Sequence, residues 1–160
     1  MPRVLIVGYG NPLRSDDGAG LCAAGELAHL LSSPNVEILR RHQLTPEVAE
    51  SVSRSDAVIF IDAAESGEPG QVRCQPVEIA SKSAGKSHQF SPGVVLALAR
   101  QLYGAVPLAF CVTVTAESFA YRETLSAPVA RALPRVVALV ESMVEQLLSG
   151  DLAISASARS

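Results

Sequence analysis

Five consecutive apolar residues, Ala57-Val58-Ile59-Phe60-Ile61, run straight into an acid, Asp62. A strand that is apolar at every position, and not only at alternate ones, must be covered on both faces, which is the condition of a parallel sheet sandwiched between helices. Val4-Leu5-Ile6-Val7 repeats the pattern and enters a turn-rich stretch, Gly8-Tyr9-Gly10-Asn11-Pro12. Segments of helical character alternate with these runs. Asp17 to Leu31 places apolar residues on one helical face and stops before Ser32-Ser33-Pro34. After a second strand at Val36 to Leu39, Thr45-Pro46-Glu47 supplies an N-cap hydroxyl, a first-turn proline and an acid for a short helix to about Ser53. The turn Gly67-Glu68-Pro69-Gly70 leads to an edge strand over Val72 to Val77. Ser91-Pro92 caps a helix over Gly93 to Tyr103, Leu108 to Thr115 forms another strand, and Pro128 to Leu148 forms a long helix that Pro134 should disturb. The fold expected is therefore α/β, one domain with a twisted, mostly parallel sheet, right-handed crossovers and helices on both faces. It should occupy residues 1–148, with 149–160 a frayed tail and residues 81–87 a small, polar, mobile loop.

A chain of 160 residues suits a single core. Hydrophobic residues make up 48% and charged residues 18%, yet no apolar run approaches the roughly 18 residues that cross a bilayer. Met1-Pro2-Arg3 passes at once into the first strand without the make-up of a signal peptide, so a cytoplasmic protein is expected. Cys22, Cys74 and Cys111 are odd in number and widely spaced, which suits buried free thiols in a reducing compartment and not a disulfide framework. The net charge of -3 with interleaved signs, and no basic stripe carrying aromatic residues, argues against nucleic acid as a partner.

In open α/β sheets the ligand crevice lies beyond the carboxyl ends of the strands, where Gly8 to Asp17 and Asp62 both project. Gly8-x-Gly10 after a strand is the start of a dinucleotide fingerprint, but Leu13 stands where the third glycine belongs. Asp16-Asp17 would also repel a pyrophosphate at the helix N-terminus, so a cation suits the place better. The pair has a plainer explanation, as acids that cap the first turn, and Asp62 has one as the cap of a following turn. What favours function is that both acidic elements meet at one sheet edge. His88, after the small-residue loop and before Gln89-Phe90-Ser91-Pro92, can fold over them. Two carboxylates and an imidazole suit a divalent first-row ion such as nickel or zinc. His42 lies near the same edge as a candidate substrate contact, and His29 is a surface or boundary residue. The cysteines lack any nucleophile motif, and no Gly-x-Ser-x-Gly elbow occurs.

With these residues in view, the sequence resembles the hydrogenase maturation endopeptidases, from Val4 to about Leu148. The resemblance rests on the glycine-x-glycine-asparagine loop with its acidic pair, Gly8-Tyr9-Gly10-Asn11-Pro12-Leu13-Arg14-Ser15-Asp16-Asp17-Gly18, on Val58-Ile59-Phe60-Ile61-Asp62-Ala63, and on Ser87-His88-Gln89. It implies that Asp17, Asp62 and His88 are both the metal ligands and the catalytic group. It further implies a monomeric peptidase that removes the C-terminal extension of a nickel-iron hydrogenase large-subunit precursor, with nickel presented by that substrate and not permanently bound. His42-Gln43-Leu44-Thr45-Pro46-Glu47 departs from the glycine-rich stretch of many members and looks like the branch serving bidirectional, NAD-linked hydrogenases. The rival functions are a noncatalytic nickel chaperone using the same ligands and a nucleotide-binding oxidoreductase built on the Gly8-x-Gly10 loop.

Overall fold

The computed structural model describes residues 2–81 and 90–150. Five strands, β1 (Val4–Tyr9), β2 (Val36–Arg41), β3 (Ala57–Ala64), β4 (Val72–Pro76) and β5 (Leu108–Thr115), form one sheet in the order β2-β1-β3-β5-β4. Four α-helices, α1 (Ala19–Leu30), α2 (Val48–Ser53), α3 (Pro92–Tyr103) and α4 (Ala127–Ser149), connect or follow them. All pairings are parallel except β4 with β5. The exception follows from length: a parallel return needs a crossover of about a dozen residues or more, and the stretch from Glu65 to Gln71 is too short for one. The turn at Gly67 to Gly70 therefore sends β4 back antiparallel, leaving the slot between β3 and β4 for β5.

Period-two alternation along the strands divides the interior in two. Val4, Ile6, Ile59, Ile61, Val112 and Val114 pack against α1 and α4, while Leu5, Val7, Val58 and Phe60 pack against α2 and α3. Helices thus cover both faces, as the all-apolar runs require. Phe60 is fully buried, and truncating it to alanine would cost about 3–5 kcal/mol. The contact between α1 and the sheet is backbone to backbone. A Cβ on Gly8 would sit 2.2 Å from the Gly20 carbonyl oxygen, and one on Gly20 would sit 2.3 Å from that of Ile61. The two glycines therefore act as a pair that lets the helix lie directly on β1 and β3.

Local details depart from expectation in four places. The strand ending in Asp62 continues through Ala64, because Asp62 to Ala64 keep their pairing with Thr113 to Thr115 of β5. The first helix begins as a 3₁₀ turn over Ser15–Gly18, and α1 proper starts at Ala19. Thr45 contributes its carbonyl, which accepts from the Val48 amide, and α2 has no side-chain cap. Helix α4 runs through Pro134 unbroken; Pro134 and Ala130 are both exposed, so the carbonyl that loses its partner can turn to water. Ser91, by contrast, caps α3 as its sequence indicates, accepting from the Val94 amide at 3.3 Å. The thiols are not buried as expected: Cys22 and Cys74 are exposed, on the outer side of α1 and on the edge strand, and Cys111, in the middle of β5, is intermediate. Among the described residues, no helix is long and apolar enough to cross a membrane. The expected mobile loop lies outside the described residues except for Ser81, and so does the tail beyond Gly150.

Candidate functional site

The chain leaves β1 toward β2 on one side of the sheet and returns to β3 on the other, so the strand order reverses between β1 and β3. That reversal opens a crevice at the strands' carboxyl ends. A cavity of about 550 Å³ occupies this place. Its walls come from the segments that follow β1 (Gly10, Asn11, Arg14, Asp17) and β2 (His42, Gln43, Leu44, Thr45), and from the end of β3 and beyond (Asp62, Ala63, Glu65). Tyr9, Phe90 and Phe119 complete it. Asp17 and Asp62 thus share one cavity, as the topology argument required. His88 lies outside the described residues, so its position relative to them is not part of the geometry. Among the described residues, no group of three or more His, Cys, Asp or Glu is close enough to hold a metal ion.

The two adjacent acids do different things. Asp16 is fully buried, and its carboxylate accepts four hydrogen bonds from the segment between β5 and α4. Oδ2 takes the amides of Glu117 at 2.8 Å and Ser118 at 3.1 Å together with the Ser126 hydroxyl at 2.8 Å, and Oδ1 takes the Ser126 amide at 2.7 Å. Burial alone would raise the pKa of this carboxyl, but these bonds from Ser126, Glu117 and Ser118 outweigh it and hold the group below the usual carboxylate range. Ser126 stands at the N-cap of α4 yet makes no capping bond, because its hydroxyl is given to Asp16. Neighbouring contacts strengthen the seam: the Ser15 amide donates to the Arg122 carbonyl at 2.7 Å and the Ser15 hydroxyl to that of Thr124 at 2.9 Å. Ser15 holds φ at 50°, a conformation that a non-glycine residue adopts only when its surroundings impose it. Arg14 lies over the rings of Phe119 and Tyr121, 5.9 and 5.8 Å from their centroids.

Asp17 is half-buried and, among the described residues, takes a single bond, from the Asn11 amide to Oδ2 at 2.8 Å. The loop can double back this closely only because residue 10 is glycine: its φ is 138°, and a Cβ there would lie 1.8 Å from the Asp17 carbonyl oxygen. Neither acid caps α1, which has no side-chain cap at all. The Asn11 amide, which a Gly-rich loop would direct at a phosphate, is already committed to a carboxylate, and this weighs against a dinucleotide site.

Asp62 accepts from the Tyr9 hydroxyl at 2.9 Å and from the Ala63 amide at 2.7 Å. Burial raises its pKa to about 6; the bonds from Tyr9 and Ala63 pull the other way, and the charges of Asp17 and Glu65 add to the rise. The Tyr9 phenol is driven well above its ordinary range, first by burial and then by the Asp62 charge. Tyr9 is a residue that motif reading passed over, although a signal existed. If β1 and β3 are neighbours, alternation places residues 5, 7 and 9 on the same face as 58, 60 and 62. Phe119, Phe90 and Glu65 could not be found in the same way, because only the folded chain brings them to the cavity. His42 is exposed at the cavity wall, while Leu44 beside it is anchored in the core against α2 and α3. His29 is exposed on α1, away from the cavity lining.

The hydrogenase maturating endopeptidase HybD from E. coli superposes with a TM-score of 0.75 at 23% sequence identity, over 90% of this chain and 93% of that one. The chain has the fold of the hydrogenase maturation endopeptidases. The [NiFe] hydrogenase maturation protease HycI from Thermococcus kodakarensis KOD1 gives 0.74 at 22% identity, over 90% of this chain and 93% of that one. The hydrogenase 2 maturation peptidase from a Thaumarchaeota archaeon gives 0.67 at 24% identity, over 89% of this chain and 97% of that one. No protein-family model and no curated protein matches the sequence.

Proposed function

We propose that this chain is an endopeptidase that removes the C-terminal extension of a nickel-loaded hydrogenase large-subunit precursor. The observation that carries the reading is the pair Asp17 and Asp62, in one cavity at the switch point of a fold shared with proteins named as hydrogenase maturation proteases. Among the described residues both carboxylates keep unused acceptor capacity: of roughly four lone-pair sites each, Asp62 gives two to those residues and Asp17 one. Oxygen donors of this kind, joined by the imidazole of His88, suit a divalent first-row ion. In this reading the nickel belongs to the substrate, and gripping it aligns the scissile peptide with the site. Water adds to the scissile carbonyl, the C–N bond breaks, and the products are a new carboxylate on the large subunit and a free amine on the released tail.

The wall formed by His42 to Thr45 supports a finer assignment. By the sequence resemblance these residues depart from the glycine-rich stretch of many such proteases, and on that ground we assign the chain to the processing of bidirectional, NAD-linked hydrogenases. It would act as a cytoplasmic monomer, where the precursor is assembled. The test is incubation with nickel-loaded and nickel-free precursor, with mass spectrometry following loss of the C-terminal peptide. Wild type should cut only the loaded form, and Asp17→Ala, Asp62→Ala and His88→Ala should each reduce cleavage by about 100-fold or more. Cleavage that survives all three substitutions overturns the site. A protein that binds nickel but leaves every precursor intact is a carrier and not a peptidase.

A further inference from the structure

We propose that Tyr9 is the positioning residue of the site, its hydroxyl locking the Asp62 carboxylate in the orientation that presents its free lone pairs to a ligand. The inference rests on the reading of the cavity just given and names a residue which that reading does not use. Gly8 of β1 is in register with Ile61 of β3, so the next residues, Tyr9 at the end of β1 and Asp62 within β3, lie side by side with their side chains on one face. From there the phenol donates to Oδ2 at 2.9 Å while the Ala63 amide donates to Oδ1 at 2.7 Å. Among the described residues each oxygen is held by one donor, which leaves it about one lone pair. With a single donor on one oxygen the carboxylate can still rotate about χ2; with one on each, it cannot do so without breaking a bond.

The strand origin of both partners matters. Tyr9 is the last residue of β1, and its ring packs against the core that lies under α2 and α3, so the hydroxyl is carried on a rigid element and not on a loop. A tyrosine serving only to fill that space would be replaced by phenylalanine without consequence for ligand binding, because the ring is the same and only the donor is lost. Orienting partners of this kind usually change ligand affinity or activity by about 10- to 100-fold when removed.

The test is a double-mutant cycle on the full chain, comparing wild type, Tyr9→Phe, Asp62→Ala and the double variant. Two readouts are taken: Ni²⁺ affinity by calorimetry, and kcat/KM on the nickel-loaded precursor. Thermal unfolding confirms that each variant is folded. Tyr9→Phe should weaken Ni²⁺ binding and lower kcat/KM by about tenfold or more when Asp62 is present. It should add nothing to Ni²⁺ binding once Asp62 is alanine. An equal loss in both backgrounds makes Tyr9 a packing residue and overturns the proposal. So does a Tyr9→Phe variant that binds and cleaves like wild type while Asp62→Ala does neither, and in that case the reading of the cavity stands. If Asp62→Ala itself cleaves like wild type, the cavity reading fails and the role of Tyr9 falls with it.

Discussion

Asp16 and Asp17 are adjacent in sequence and share a 3₁₀ turn, yet they belong to different parts of the molecule. Asp16 faces inward and meets four donors, three on Oδ2 and one on Oδ1. Asp17 borders the cavity and, among the described residues, meets one. One acid is fully engaged inside the fold and joins two segments of the chain; the other keeps acceptor capacity toward the cavity. The contrast shows that two adjacent acids need not share a role: one is held inside the fold and the other borders the cavity.

The largest test of this contrast is stability. Asp16→Ala leaves four donors without an acceptor, three of them backbone amides, and should lower the unfolding free energy by about 3–5 kcal/mol. Asp17→Ala should lose less than about 1 kcal/mol while abolishing cleavage. Chemical denaturation measures both. Equal losses would mean that Asp17 is as structural as its neighbour.

Titration gives the next test, with opposite signs at Asp16 and Asp62. The folded state depresses the Asp16 pKa, so the stability this group contributes is present above the unfolded value of about 3.9 and disappears as pH falls through the folded value. Replacing it with asparagine should therefore flatten the acid limb of the stability curve. Asp62 has a folded pKa of about 6, so its contribution is full below about 3.9 and is lost as pH rises through 6. Asp62→Asn should consequently stabilise the protein at pH 7 by on the order of 2 kcal/mol, with the gain vanishing near pH 4. A gain that is independent of pH would trace to packing and not to ionisation.

The smallest effect concerns the outer rim of the seam. Arg14 is exposed, lies over Phe119 and Tyr121, and donates from Nε to the Phe119 carbonyl at 3.3 Å. Arg14→Ala should cost about 0.5–1 kcal/mol, readable as a small shift in denaturation midpoint. A loss approaching that of Asp16→Ala would show that the joint between the segments is electrostatic at its surface as well as at its centre.

Much of this was legible in the sequence where a residue's environment is set by its own neighbours. The all-apolar run from Ala57 to Ile61 announced a strand covered on both faces, and the alternation of strands with helices brought Asp17 and Asp62 to one edge. The fold's likeness to the hydrogenase maturation proteases agrees with the resemblance carried by the glycine loop and its acids. What escaped depends on partners far along the chain. Nothing near Asp16 announces that its donors are Glu117, Ser118 and Ser126, so a helix cap was the only structural role the local sequence offered it beside the functional reading. The extent of β3 beyond Asp62 is set by pairing with β5, and the cysteines' exposure by which side of their elements faces out, neither of which a local run of residues records.

The bond between Ser126 and Asp16 spans 110 positions. A chain that leaves the ribosome amino end first will have made β1, α1 and the whole glycine loop long before their anchor exists. Until residues 117–126 emerge, Asp16 is a charged group without the four donors that hold it, and the loop beside the cavity lacks its anchor. Closing so distant a contact is slow compared with forming a helix or hairpin. The first residues of the site to be synthesised are therefore among the last to be fixed, and a chain truncated before residue 126 would have the glycine loop without the geometry that makes it useful.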